Sequence, residues 1–126
     1  MEERVLFTVE IPMRCSPNIL FEFLATPSGL QEWFADKVDN NGEQFSFTWE
    51  GVTDEAELVE KVENEKVKFR WDYYDDGEFF EFKISQSPVT NETILSISDF
   101  ADSDEVEDQK MLWESQINDL KYRIGS

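Results

Sequence analysis

The chain contains no histidine. That absence removes the imidazole base on which Ser-His-Asp and Cys-His nucleophilic schemes depend, together with the commonest zinc constellations. Cysteine occurs once, at Cys15, so no internal disulfide can form, which fits a reducing compartment. Cys15 stands near the start of a helical segment with only Arg14 as a basic neighbour in sequence, and the expectation is a small inert hydrophobe rather than a nucleophile. Basic residues are scarce: 11 Lys and Arg against 29 Asp and Glu give 11 − 29 = −18. Such a chain repels phosphate backbones and anionic lipid heads, so neither nucleic acid nor membrane insertion is expected. Long apolar runs are missing too. The opening MEERVLFTVEIP is charged too early and alternates too strictly for a signal peptide or a membrane span, which makes cytoplasmic localisation the expectation.

What the chain has in quantity is aromatic side chains: 11 Phe, 4 Trp and 3 Tyr in 126 residues. Each ring removes a large area from water, so a chain of this length can build a thick core as one domain, residues 1–126, without staples. Acidic residues are spread throughout, with a run from Asp102 to Asp108, and solvated faces explain them.

Apolar positions alternate from Val5 through Phe7, Val9 and Ile11 to Met13, the period of a strand with one buried face. Ser16-Pro17 supplies a helix start, and Ile19, Leu20, Phe23 and Leu24 give a helical face ending near Ala25. After the break at Pro27, Leu30, Trp33 and Phe34 fall at helical spacing and predict a second short helix with an aromatic end. Asp39 to Gly42 reads as a turn. Phe45, Phe47 and Trp49 alternate as a strand. Ala56 and Leu58 continue a weaker pattern that Val59 puts out of phase, as in an edge or bulged strand. Val67, Phe69, Trp71 and Tyr73 alternate up to the turn at Asp75 to Gly77, and Phe80, Phe82 and Ile84 return from it. Leu95 and Ile97 mark a last strand. Asp102 and Glu105 read as a capping box opening a long helix, whose stripe is Val106, Trp113, Ile117, Leu120 and Ile124, with Gly125 past its end. A sheet with one apolar face must cover that face, and this helix is the element long enough to do so.

The order of elements resembles the START-like, helix-grip (SRPBCC-type) superfamily over essentially the whole chain. Its most specific pieces are SPNILFEFLATPSGLQEWFAD, from Ser16 to Asp36, and MLWESQINDLK, from Met111 to Lys121. They are most similar to the bacterial branch related to the activator of the ninety-kilodalton heat-shock chaperone ATPase, although Leu112 stands where many relatives have glycine. The resemblance implies an α+β helix-grip fold: a curved antiparallel sheet of about six or seven strands wrapped around a long C-terminal helix, with two short helices after the first strand. It implies several functions, including carriers of lipids and other apolar ligands, cyclases and aromatases, and chaperone co-regulators, among which fold alone does not choose.

Chemistry is thin in the sequence. Asp72, Asp76 and Gly77 have the offsets of a calcium loop, but Tyr74 and Lys83 occupy positions that need oxygen ligands, so no metal is expected there. The acids from Asp102 to Asp108 are explained by helix capping. Asp99 keeps phase with Leu95 and Ile97 and would face the concave side in a regular strand, where it would need a partner. The plainer expectation places it past the strand end, turning the chain. What remains is an aromatic inner face: Phe47, Trp49, Phe69, Trp71, Tyr73, Phe80 and Phe82 opposite Trp113, Ile117 and Leu120, with Trp33 and Phe34 closing one end as core plug or rim. These twelve residues are the candidate lining of a ligand cavity. The expectation is a non-enzymatic domain that needs no cofactor and binds an apolar small molecule or a protein partner there. A chaperone co-regulator and a cyclase-like enzyme are the alternatives. Because the excess charge is self-repulsive, moderate salt is expected to raise the melting temperature above its value in very dilute buffer, which a thermal denaturation series in salt measures.

Overall fold

The computed structural model describes residues 3–125. Ten elements follow in chain order: β1 (Arg4–Met13), α1 (Pro17–Ala25), α2 (Pro27–Gln31), β2 (Lys37–Asn41), β3 (Gln44–Trp49), β4 (Val52–Val62), β5 (Lys66–Trp71), β6 (Phe80–Gln86), β7 (Thr93–Asp102) and α3 (Val106–Ile124). The strands form one antiparallel sheet in the order β1-β7-β6-β5-β4-β3-β2. Strands β2 to β7 are thus a meander. Between β1 and β2 the chain crosses from one edge of the sheet to the other, and α1 and α2 make that crossing. The sheet curves around its apolar face, which α3 covers together with the two short helices: the α+β helix-grip architecture. No helix among the described residues is long and apolar enough to cross a membrane.

Alternation explains most strands. In β7, burial alternates strictly from Thr93, with Leu95, Ile97, Asp99 and Ala101 inward and their neighbours half-exposed. In β5 and β6, Val67, Phe69, Trp71, Phe80, Phe82 and Ile84 face inward, and the pairs Phe69↔Phe80 and Val67↔Phe82 stand opposite one another across the ladder. Cross-strand aromatic and β-branched pairs of this kind stabilise a sheet by ~0.2–1 kcal/mol each. Helix α3 presents Trp113, Ile117 and Leu120 to the sheet, and Gly125, at φ +82, lets its N–H bond the Lys121 carbonyl and close the helix.

Several local expectations are corrected. Asp39 to Asn41 belong to β2, and only Gly42 and Glu43 turn, because Asn41 pairs with Gln44. This edge strand buries Val38 alone among its five residues, so it lacks the alternation that would reveal it. The register shift at Val59 is present between Leu58 and Glu60, but β4 lies inside the sheet between β3 and β5 rather than at an edge. Strand β5 stops at Trp71: the Tyr74 N–H bonds the Trp71 carbonyl, and Tyr73 turns outward. Helix α2 ends at Gln31, so Trp33 and Phe34 lie in the turn after it, where the Phe34 N–H bonds the Leu30 carbonyl. No capping box forms at α3, since Asp102 is the last residue of β7 and Glu105, at the helix start, makes no side-chain cap.

The corner between α1 and α2 is unusually tight. Thr26 caps α2 by accepting from the Gly29 N–H (3.0 Å) while its hydroxyl donates to the Glu22 carbonyl of α1 (2.7 Å). Gly29 packs directly on that turn of α1. A Cβ added there would stand 2.0 Å from the Glu22 carbonyl oxygen and 2.7 Å from the Phe23 Cα, both backbone atoms. Gly29→Ala is therefore expected to destabilise the fold by about 1–3 kcal/mol or more, read as a lower midpoint in urea denaturation, although alanine is the better helix former.

Candidate functional site

The sheet and α3 enclose an aromatic layer that leaves a cleft at one end. There β1 begins, β3, β5 and β7 end, and the N-terminal half of α3 crosses above them. The cleft has a volume of about 470 Å³. Trp49 comes from the end of β3, Trp71 from the end of β5, Tyr73 and Tyr74 from the connection that follows, and Asp99 to Asp102 from β7. Phe34, from the turn after α2, lines it as well. Glu105, Gln109, Leu112, Trp113 and Gln116 line the helix side, and Arg4 the edge.

Asp99 is the polar centre of this wall. It is 5% exposed, inside β7 and in phase with Leu95 and Ile97, which overturns the expectation of a chain-turning residue beyond the strand. Ala101, also buried in the same phase, is the sequence signal that the strand continues. Three donors satisfy the carboxylate: the Trp113 Nε1–H at 3.0 Å, the Phe100 N–H at 2.7 Å and the Tyr74 hydroxyl. Burial pushes the Asp99 carboxyl above the usual aspartate range, and these three donated bonds, with the charge of Arg4, pull against that rise. Burial and the nearby Asp99 in turn hold the Tyr74 hydroxyl far above the usual tyrosine range. Tyr73 is pushed up to about 12 by burial first and then by the charges of Asp54, Asp99 and Asp72.

Beside this group sits an ion pair that sequence reasoning missed. Arg4 holds Glu78 through one edge of its guanidinium, Nη2 to Oε1 at 2.9 Å and Nε to Oε2 at 3.2 Å, and its Nη1 reaches Asp102 Oδ1 at 3.4 Å. The Glu78 hydrogen bond is the main reason that the Arg4 guanidinium is held above its ordinary value. Glu78 is 8% exposed, so a bidentate partner is what makes its burial tolerable. The two residues are 74 positions apart, and no local pattern joins them.

The twelve sequence-predicted lining residues divide. Phe34, Trp49, Trp71, Tyr73 and Trp113 do line the cleft. Phe47, Phe69, Phe80, Phe82, Ile117 and Leu120 are fully buried and pack the layer beneath it. Phe69 stacks on Phe80 at 5.2 Å between ring centroids, and Phe47 meets Trp71 edge-on at 5.3 Å. Trp33 is a core plug: its Nε1–H donates to the Phe23 carbonyl of α1 at 2.7 Å and its ring abuts Phe82. Trp113 combines both roles, since it is 6% exposed and stacked on Phe34 yet presents an edge to the cleft. Cys15 lies outside this region, and burial raises its thiol pKa, which disfavours the thiolate. Asp102, Asp104 and Glu105 bring ligand oxygens within 4.8 Å of one another, and Glu105 is shifted upward by its hydrogen bond to Asp102 and by that neighbour's charge.

The upward shift of Asp99 has a definite sign for stability. A carboxyl that binds its proton more tightly in the folded than in the unfolded chain stabilises the fold at low pH. That contribution is lost as pH rises from the ordinary aspartate value of 3.8 through the raised folded value. The stability of the wild type minus that of Asp99→Asn is therefore expected to fall over this window and then level off. Urea denaturation of both proteins across a pH series measures it, and a difference constant with pH would contradict the assignment.

A family model of the START-like superfamily domain matches residues 1–126. Among solved structures, a Bacteroides fragilis protein determined by solution NMR shares 31% identity and superposes with a TM-score of 0.69, over 98% of this chain and 93% of that one. The Aha1 dimer from Colwellia psychrerythraea shares 17% identity with a TM-score of 0.76, over 93% of each chain. DynU16, from the dynemicin biosynthetic locus, shares 15% identity with a TM-score of 0.78, over 96% of this chain and 47% of that one. A search of curated proteins finds no match. The whole-chain match and the seven-stranded sheet closed by α3 agree, and the chain belongs to the START-like superfamily.

Proposed function

We propose that this domain is a non-enzymatic binder of a small, largely apolar molecule, held in the cleft between the sheet and the N-terminal half of α3. One observation carries the reading: an otherwise densely packed aromatic core stays open at one end, in a cleft of about 470 Å³ walled by Phe34, Trp49, Trp71, Tyr73 and Trp113. Sites for small ligands have volumes of ~300–1,000 Å³ and combine apolar walls with a few fixed polar groups. Here the fixed groups are Asp99, held by three donors, and Arg4, held by Glu78. Trp49 is oriented by donating its Nε1–H to the Phe34 carbonyl at 2.7 Å, so one wall is set before any ligand arrives. The resemblance to chaperone co-regulators supplies a protein partner as the other reading, and no feature of the cleft favours it over a small molecule.

Tyr73 offers a test that spares the core. It is 63% exposed, yet its ring stacks on Trp71 at 5.8 Å and lines the cleft. Titration of the purified domain with apolar aromatic compounds, followed by tryptophan fluorescence, is expected to saturate. Tyr73→Ala should weaken binding by about two- to ten-fold, the worth of one aromatic contact, with little change in melting temperature. Tyr122→Ala, which removes an 84% exposed ring outside this cleft, should leave binding unchanged. Equal loss in both variants, or no saturable binding by the wild type, would turn the assignment toward a protein partner. Native mass spectrometry of freshly purified protein would reveal a retained ligand directly.

A further inference from the structure

We infer that the ligand of this cleft is an organic cation: a hydrophobic amine or quaternary ammonium whose apolar body lies against the aromatic walls and whose positive head faces the acidic side. The inference rests on the binding reading above and adds the charge of what is bound.

Three observations converge on it. First, the charged groups lining the cleft are Arg4, Asp99, Asp102 and Glu105. The single guanidinium holds the buried Glu78 in a two-pronged bond and also reaches Asp102, so with Glu78 counted one cation stands against four carboxylates and the acids remain in excess. Second, Asp99 is buried and, among the described residues, its hydrogen-bond donors are neutral (a phenol, an indole and a backbone N–H), with Arg4 acting on it through charge alone. A buried carboxylate held this way is hydrogen-bonded but only partly compensated in charge, and a cation brought into the adjacent space would add to that compensation. Third, the walls include the rings of Trp49, Trp71, Tyr73 and Trp113. The negative face of an aromatic ring attracts a cation, most strongly for tryptophan and more strongly where water is excluded.

The alternatives fit less well. An anionic head, such as a carboxylate or phosphate, would meet Asp99, Asp102 and Glu105 with Arg4 already committed. A neutral ligand would use the rings but gain nothing from the acids. A bare metal ion would use the carboxylate oxygens but not the rings of the wall.

Three naphthalene probes of nearly equal size separate the possibilities: 1-naphthylmethylamine as cation, 1-naphthylmethanol as neutral form and 1-naphthoate as anion. They are titrated by calorimetry at about 150 mM salt, where long-range attraction to the acidic surface is largely screened. The amine is expected to bind about ten-fold more tightly than the alcohol, and the carboxylate more weakly than either. The double variant Asp102→Asn/Glu105→Gln, at the half-buried and exposed acids of the lining, should narrow the amine's advantage over the alcohol several-fold. Glu43→Gln/Glu63→Gln, at the opposite end of the sheet, removes as much charge and should leave the preference intact. Amine and alcohol binding equally, the carboxylate binding best, or the two double variants acting alike would overturn the cation assignment while leaving the aromatic cleft as a binding site. Failure of all three probes to bind would instead overturn the small-molecule reading itself.

Discussion

The packing of one ring, Phe34, is the constraint on which the rest depends. It lies in the turn after α2, outside any helix or strand, yet it sits at the centre of the aromatic layer. It stacks on Trp113 of α3 at 5.7 Å and meets Phe47 of β3 edge-on at 5.2 Å and Trp49 at 5.4 Å. It also lies against Trp71, Phe80 and Phe82 of the two central strands. Its carbonyl accepts from Trp49 Nε1 and, at 3.4 Å, from Gln116 Nε2 of α3. A single residue therefore ties the crossing connection to the sheet by its ring and to both the sheet and the helix by its backbone. Offset and edge-on contacts are directional, so this arrangement fixes where the surrounding rings can lie as well as burying them. The cleft is what remains above Phe34 once those rings have taken their places.

The opposite end of the layer is closed by different means. There α1 and α2 bring Leu20, Leu24 and Leu30, all without exposed surface, and Trp33 against Phe82. Aliphatic side chains adapt to the space between rings and leave few voids. The tight corner at Gly29 draws α2 down onto α1, so that end is sealed by the same connection that sends Phe34 to the centre. At the cleft end aromatic edges meet polar and charged groups, and the latter need solvent or partners rather than close packing. A closed apolar end and an open polar end are thus two consequences of one connection between β1 and β2.

Much of this could be seen in the sequence, and the boundary of what could not has physical causes. Period-2 alternation revealed β1, β3, β5 and β6 because each buries one face, and the stripe of Trp113, Ile117 and Leu120 revealed α3 for the same reason. Strand β2 escaped because an edge strand facing solvent on nearly all sides has no need of alternation. Tyr73 was placed inward because it follows Phe69 and Trp71 at the right interval, but a turn after Trp71 gives the inward position to Tyr74 instead. Asp99 had the correct phase and lost the argument to its own chemistry, since a lone acid in a strand is expected at the end. What rescues it inside is a pair of donors from remote elements, Tyr74 and Trp113, whose meeting depends on the closed fold. The same holds for Arg4 and Glu78. Apolar faces are written locally, whereas the polar groups of the cleft acquire their partners only in three dimensions.

That distinction bears on why a buried acid persists at this position. A buried carboxylate costs desolvation that its hydrogen bonds repay only in part, so stability alone is a weak reason for an acid at Asp99. Its bond to Trp113 Nε1 does supply one structural role, holding the indole in register where α3 begins to cross the sheet. A neutral acceptor could do as much: a backbone carbonyl already holds Trp33 and another holds Trp49 in the same core. The carboxylate adds what those carbonyls lack, a full charge facing an aromatic cleft. Burial raises the cost of that charge, and a cation arriving in the cleft would lower it. Under the cation reading, the feature least favourable to the fold is the one that a ligand of the right sign would relieve, which sets selectivity and stability in opposition at the same residue.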